Sequence, residues 1–436
     1  MEQWPERFVY VCNASPASLV NILPMVHAGI DRIEELIIFC GAGSLHSKDA
    51  NEIAEAIDPA NRLRRNASQW SKGRLSGKRI SVFPGDATDI AKWLRHMTAV
   101  FERPGAEKLP VIYNVKGGTK EMGLGGAIGA ANRDFWIVTV TETPVGVQVV
   151  RPDGQKPLAR HGELTLADYL AAYGFIEKDA TVRFAAEAMY AANRDRIATY
   201  ANRILPKPPS NLTQMESIMR GLYRIIEPLH DSSGRHFYPG TISAAGVERV
   251  VRKEVLGLLE AMDGFLGCRL GPIGDTLDVT QKDALRFMGG GWFEAYLFNR
   301  LTTALQGTDG AQLYANLHLA HAHADGLVGP DMAELDIVLL VNSQLHIIEA
   351  KTSSMTTAAA KRNYESSIAQ SHSIQAQLVG QTGKILLCNP RDDEASVRKE
   401  DETGVHPQRG GRELFLGAGA VDALIVRVKE LVAAAS

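Results

Sequence analysis

Residues 333–353, AELDIVLLVNSQLHIIEAKTS, constrain this chain more than any other stretch: two apolar runs flank a short polar turn, and the charges sit only at the open ends. Asn342 and Ser343 suit a two-residue hairpin turn, because Asn accepts positive φ. Val341 then faces Gln344, Leu340 faces Leu345, and outward counting sets Asp336 opposite Glu349. Paired residues share a sheet face with Cβ atoms roughly 5 Å apart, and period-two alternation adds Lys351 to that face. Opposed carboxylates beside Val338, Leu340 and Ile347 repel and resist desolvation, so they need a cation or a shared proton. A hard divalent metal with oxygen ligands meets that need. The spacing alone is also compatible with a strand end whose charges are solvated.

A second element strengthens the site. In MGGGWFEAYLFNRL, residues 288–301, Glu294, Leu297, Phe298 and Leu301 fall at helical spacing, which puts Glu294 on an apolar face. A carboxylate there needs a partner, and a helix preceding the hairpin supplies a third acidic ligand beside Asp336 and Glu349. Glu334, two residues before Asp336, projects to the same face in a supporting position. Lys361, Arg362 and Tyr364 lie in a polar helical run downstream, where contact with nucleic acid and simple solvation are equally open. His318, His321 and His323 include a pair on one strand face, but no further cysteine or histidine cluster completes a zinc site.

The amino-terminal part alternates strands with helices. FVYVCN, ELIIFC, RISVFPG, PVIYNV and FWIVTVT read as strands, with GVQVVRP as a hairpin partner. Helical runs are expected around 17–27, 48–57, 88–101 and 119–131. This order implies a mostly parallel sheet whose ligand site lies beyond the carboxyl ends of its strands. The fourth strand ends in NVKGGTK, residues 114–120, where two glycines, a hydroxyl and two lysines open a helix and suit an anion. Neither the P-loop pattern nor the dinucleotide glycine fingerprint is present. The glycines of GLGGAIG, 123–129, fall inside the helix and read as packing positions.

NASPAS after the first strand and NVKGGTKEM after the fourth resemble the CARF domain, the CRISPR-associated Rossmann-type sensor of cyclic oligoadenylates. Lys116 departs from the family's usual threonine or serine. The resemblance implies a pocket lined by Asn13, Ala14, Ser15, Gly41, Ser44, Lys116, Gly117, Gly118, Thr119 and Lys120, shared across a homodimer axis. GGGWFE, ELD and EAK together resemble the PD-(D/E)XK nuclease core, and their order is similar to CRISPR ancillary nucleases of type III systems that join a CARF sensor to that core. Mg2+ or Mn2+ held by Glu294, Asp336 and Glu349, with Lys351 completing the catalytic set, follows from that resemblance together with the residue chemistry.

The expected architecture is therefore α/β: a Rossmann-like CARF domain over 1–155, a linker and mainly helical segment over 156–270, and a restriction-endonuclease-like domain over 271–436. With 436 residues and a formal net charge of −3, nothing global marks a nucleic-acid binder, so such a partner must be held locally. Cys12, Cys40, Cys268 and Cys388 show no CxxC spacing and read as reduced thiols. The first ten residues lack a secretory pattern and no apolar run reaches spanning length, giving the expectation of a cytoplasmic protein without a membrane partner. The expected function is an endonuclease of single-stranded RNA or DNA activated by a cyclic oligoadenylate, with cyclic tetra-adenylate favoured, in antiviral defence. The alternatives are a sensor whose nuclease-like domain is not catalytic, and a CARF domain that degrades its own ligand.

Overall fold

The structure is a computed structural model that describes residues 4–14, 19–41, 78–85, 89–103, 108–133, 135–142, 145–150, 160–161, 164–173, 175–205, 212–229, 238–322, 328–352, 374–375, 378, 383–391 and 412–435. The amino-terminal strands are β1 (Phe8–Asn13), β2 (Ile33–Gly41), β3 (Arg79–Gly85), β4 (Val111–Asn114), β5 (Trp136–Glu142), β6 (Val145–Val150) and β7 (Arg160–His161). They form a sheet in the order β3-β2-β1-β4-β5-β6-β7. The first five run parallel, and β6 returns antiparallel on β5 as the hairpin expected from GVQVVRP. Strand order reverses between β1 and β4, so the loops after these two strands face one crevice.

Helices α1 (Leu19–Ala28), α2 (Ile90–Phe101) and α3 (Lys120–Ala131) cover this sheet. The α3 glycines are packing positions, as their place inside a helix predicted. A Cβ at Gly126 would meet the Tyr113 hydroxyl at 1.9 Å, and one at Gly125 would meet Trp93 at 3.2 Å. The expected helix around 48–57 lies outside the described residues.

The middle of the chain contains α4 (Leu166–Ala172), β8 (Phe175–Glu177), α5 (Ala180–Ala192), α6 (Arg194–Ile204), α7 (Leu212–Ile226), β9 (Gly240–Ser243), α8 (Arg252–Met262), β10 (Cys268–Leu270) and β11 (Thr276–Val279). Three of these strands form a small antiparallel sheet, β10-β11-β9. The strand expected from TLDVT is β11, and its partners are local. Strand β8 instead joins the edge of the carboxy-terminal sheet by pairing with a strand more than a hundred residues away in sequence.

That sheet follows α9 (Lys282–Arg286) and α10 (Trp292–Ala304), and it is built from β12 (Ala311–Ala322), β13 (Val328–Val341), β14 (Gln344–Ala350), β15 (Ile385–Asn389) and β16 (Arg412–Leu416), with α11 (Ala420–Ala435) closing the chain. Its order is β16-β15-β14-β13-β12-β8. Its faces bury different partners. Ile337, Leu339, Val341, Ile348 and Ala350 share a core with Trp292, Phe293 and Leu297 of α10. Val338, Leu340, Leu345 and Ile347 share another with Phe8 and Tyr10 of β1, Ile22 of α1, and Leu166, Tyr169 and Leu170 of α4. One apolar core thus runs from the amino-terminal sheet through α4 to the hairpin strands. Each fully buried large side chain in it is worth about 1.5–3 kcal/mol.

Candidate functional site

The hairpin adopts the register expected from its sequence, with Val341 opposite Gln344, Leu340 opposite Leu345 and Ile337 opposite Ile348. Asn342 and Ser343 have φ of 45° and 60°, the left-handed pair of a turn whose twist matches the strands. One step outward lie Asp336 and Glu349, where the alternation of β13 breaks: Leu335 joins the core of Val338, while Ile337 joins that of α10. Asp336 Oδ2 accepts from the Ala350 amide at 2.8 Å and from Lys351 Nζ at 3.1 Å. Burial alone would lower the Lys351 ammonium pKa, but Asp336 and Glu349, joined by Glu294, hold it above the ordinary lysine value. Lys351 therefore stays charged at neutral pH.

Glu294 reaches the same strand end from α10. Helix α10 packs on the Ile337–Leu339 face, and the half-buried Glu294 carboxyl lies close enough to Asp336 for their charges to interact. Burial first, and then Asp336, push its pKa well above the usual carboxylate range, opposed by Arg286 and Lys351. Among the described residues, no group of three His, Cys, Asp or Glu side chains is gathered tightly enough to hold a metal ion. The donors themselves suit one: two acidic side chains at the end of a buried hairpin offer hard oxygens to a divalent cation, and Lys351 supplies the compensating charge on Asp336.

Three further residues carry the site and were not singled out from the sequence. Gln375 is buried and donates from Nε2 to Glu349 Oε1 at 2.5 Å. Asn316 lies between the pairs Ala315–Ile337 and Leu317–Leu335, hence opposite Asp336, and has φ of 54°. Left-handed backbone in a non-glycine residue costs energy and gathers at functional sites. Arg286 donates to Asn316 Oδ1 at 3.2 Å and to the Glu334 carboxylate, so Glu334, expected as a supporting group, acts on the arginine. An asparagine between Ala315 and Leu317 in a strand was the available signal; Arg286 and Gln375 had none.

His318 pairs with Glu334 across β12 and β13, and His321 lies on β12 opposite Phe175. His323, Lys361, Arg362 and Tyr364 lie outside the described residues.

At the switch point of the first sheet, three buried asparagines tie β1 and β4 to α1. Asn21 Nδ2 donates to the Asn13 carbonyl at 2.8 Å, and Asn114 Nδ2 donates to Val20 O at 2.7 Å and to Asn21 Oδ1 at 2.9 Å. The Tyr113 hydroxyl donates to Asn13 Oδ1 at 3.1 Å. Gly117 and Gly118 have φ of 92° and 71°, and a Cβ on Gly118 would stand 3.0 Å from that of Asn13. Thr119 caps α3, its hydroxyl accepting from the Met122 amide at 3.3 Å. Lys120 opens the helix and is exposed, and Lys116 is half-buried beside it. The Ala14 amide donates to Phe39 O at 2.7 Å, and Gly41 ends β2 opposite Gly85. Asn13, Gly117, Gly118 and Thr119 thus meet at one place, with Asn13 beneath the loop. Ser15 and Ser44 lie outside the described residues.

Comparison with known proteins follows this geometry. Residues 281–405 match the family model described as the Card1-like endonuclease domain. The fold is similar to that of protein VC1899 from Vibrio cholerae, with 15% identity, a TM-score of 0.69, and coverage of 98% of this chain and 99% of that one. It is also similar to Can2 from Sulfobacillus thermosulfidooxidans, solved in complex with cyclic tetra-adenylate, with 18% identity, a TM-score of 0.58 and the same coverage. A search of curated proteins finds no match. No helix among the described residues is long and apolar enough to cross a membrane.

Proposed function

We propose that this chain, which carries a Card1-like endonuclease domain over residues 281–405, is a metal-dependent endonuclease of single-stranded nucleic acid switched on by a cyclic oligoadenylate in type III CRISPR defence. The observation that carries the reading is the convergence of Asp336, Glu349 and Lys351 at one hairpin end, in the same chain as a two-glycine helix-opening loop at a Rossmann-like switch point. The likeness to Can2, whose structure holds cyclic tetra-adenylate, supports that molecule as the activator. A homodimer would bring two copies of the β1–β4 crevice to a twofold ligand.

Asp336 and Glu349, with Glu294 completing the set, would hold Mg2+ or Mn2+. When bound, the ion polarises the scissile phosphate and makes a coordinated water more acidic. Lys351 stays protonated under its carboxylate neighbours, so its part is to orient the attacking water and offset charge growing on the phosphate, rather than to take a proton. Gln375 fixes one oxygen of Glu349 and thereby the direction of the other. At the far end of the chain, exposed α3 backbone amides, Lys116 and Lys120 suit the ligand's phosphates.

The path between the two sites is a continuous solid. The Tyr169 hydroxyl of α4 donates to the Leu378 carbonyl at 2.5 Å, and the Leu164 amide donates to Ser343 Oγ in the hairpin turn at 3.1 Å. A shift of the amino-terminal sheet would therefore move α4 against the hairpin and against the segment that carries Gln375.

The test is cleavage of end-labelled single-stranded RNA and DNA with Mn2+ and cyclic tetra-adenylate. Wild type should cut, and Glu349→Ala and Lys351→Ala should not. Cutting by those variants at the wild-type rate would reject the assigned site.

A further inference from the structure

Beside Lys351 lies a ledge that the reaction described above does not use. Tyr223 of α7 donates its hydroxyl to the Gly289 carbonyl, and the residue is 40% exposed. Thr352, the residue after Lys351, neighbours the same phenol. Gly289 and Gly290 lie half-buried between them. A Cβ on Gly289 would meet no atom nearer than the Tyr223 ring at 4.0 Å, and one on Gly290 would meet only Thr352 Oγ1 at 3.4 Å. Arg391, at the end of β15, donates to the Thr352 carbonyl at 3.5 Å and is held on its other side by Glu216 of α7 at 3.4 Å.

An aromatic ring held by its hydroxyl, an arginine and glycine backbone next to the proposed cleavage site suit an unpaired nucleotide. Every base has a π-face that stacks on an aromatic ring, arginine pairs with phosphate, and glycine lets a strand approach the main chain closely. We propose that Tyr223, Arg391 and the Gly289–Gly290 backbone form a nucleobase-stacking subsite for single-stranded substrate. The base next to the cleaved bond lies on Tyr223, and Arg391 exchanges Glu216 for the adjoining phosphate. In a duplex that base is stacked and paired, so the subsite selects single strands. Tyr223 belongs to α7, outside the endonuclease domain of residues 281–405. The helical middle segment thus supplies part of the substrate surface. The inference rests on the endonuclease reading and extends it to the substrate.

The test measures KM and kcat of the full chain with Mn2+ and cyclic tetra-adenylate on a fluorescent single-stranded oligonucleotide and on its duplex. Tyr223→Leu should raise KM for the single strand about 5- to 150-fold, the range found for loss of one stacked base, with kcat moving less. Tyr223→Phe should restore most of the affinity that leucine loses, because the ring rather than the hydroxyl binds the base. Arg391→Gln should raise KM and flatten its salt dependence. An unchanged KM in Tyr223→Leu would overturn the subsite, and so would a Tyr223→Phe variant as impaired as leucine, which would make Tyr223 only a strut for Gly289. Anisotropy of the labelled strand on Lys351→Ala protein, with and without Tyr223→Leu, reads the subsite without cleavage. Equal binding by those two proteins would reject it. If wild type cuts nothing while Tyr223→Leu still weakens binding, the endonuclease reading fails and the subsite stands.

Discussion

Glu294 is held at a cost that its replacement should reveal. Burial and the neighbouring Asp336 raise its folded-state pKa well above the ordinary value of 4.5. As pH rises past that ordinary value, the unfolded chain gives up this proton while the folded chain keeps it. The stability contributed by the neutral carboxyl is therefore full in acid and lost as pH climbs through the folded pKa. The slope approaches about 1.4 kcal/mol per pH unit, so the three units from pH 5 to pH 8 set a ceiling of about 4 kcal/mol. Partial exposure and screening leave about 1 kcal/mol of that. Glu294→Gln removes the titration and should also abolish cleavage. In metal-free buffer the variant should melt together with wild type at pH 5 and about 1–2 °C above it at pH 8. Thermal melts followed by circular dichroism at the two pH values decide it. A gap that does not widen between pH 5 and pH 8, or a variant that melts lower at pH 8, would refute the argument.

Gln375→Leu removes an amide that donates to Glu349 Oε1. It should lower kcat about 10- to 100-fold, the loss typical of groups that support a metal ligand, while KM for the strand shifts little; steady-state kinetics checks it. Gly118→Ala forces a side chain onto φ of 71° and to within 3.0 Å of Asn13 Cβ. Strain of about 1–3 kcal/mol should weaken cyclic tetra-adenylate binding about 5- to 150-fold by calorimetry, leaving the unliganded fold intact. Gly126→Ala drives a methyl into the buried Tyr113 hydroxyl. About 1–3 kcal/mol of overpacking should lower the urea midpoint, and an unchanged midpoint would show that the Tyr113–Asn13 contact yields freely.

The hairpin was legible because every local signal agreed. Asn342 and Ser343 accept positive φ, and the apolar alternation leaves one register that buries both faces. The five parallel strands were legible for the same reason, each a continuous apolar run bounded by helical spacing. Strand β8 was not, because three residues carry no periodicity and its pairing depends on a partner distant in sequence. The strand at 276–279 was found, yet its sheet was not: propensity fixes a strand, while neighbours decide its partner. Glu294 was located by helical spacing, because Leu297, Phe298 and Leu301 set the buried side of α10. Gln375 and Arg286 stayed hidden because their roles are contacts made by tertiary packing, with no motif of their own.

The most direct test compares wild-type cleavage of a labelled single strand in Mn2+ with and without cyclic tetra-adenylate, alongside Glu349→Ala. Control of the hairpin through α4 and the shared core predicts a rate about 5- to 150-fold higher with the ligand, the span of ordinary allosteric coupling, and no cleavage by the variant in either condition. An equal wild-type rate with and without the ligand, at concentrations where calorimetry shows it bound, would contradict the account.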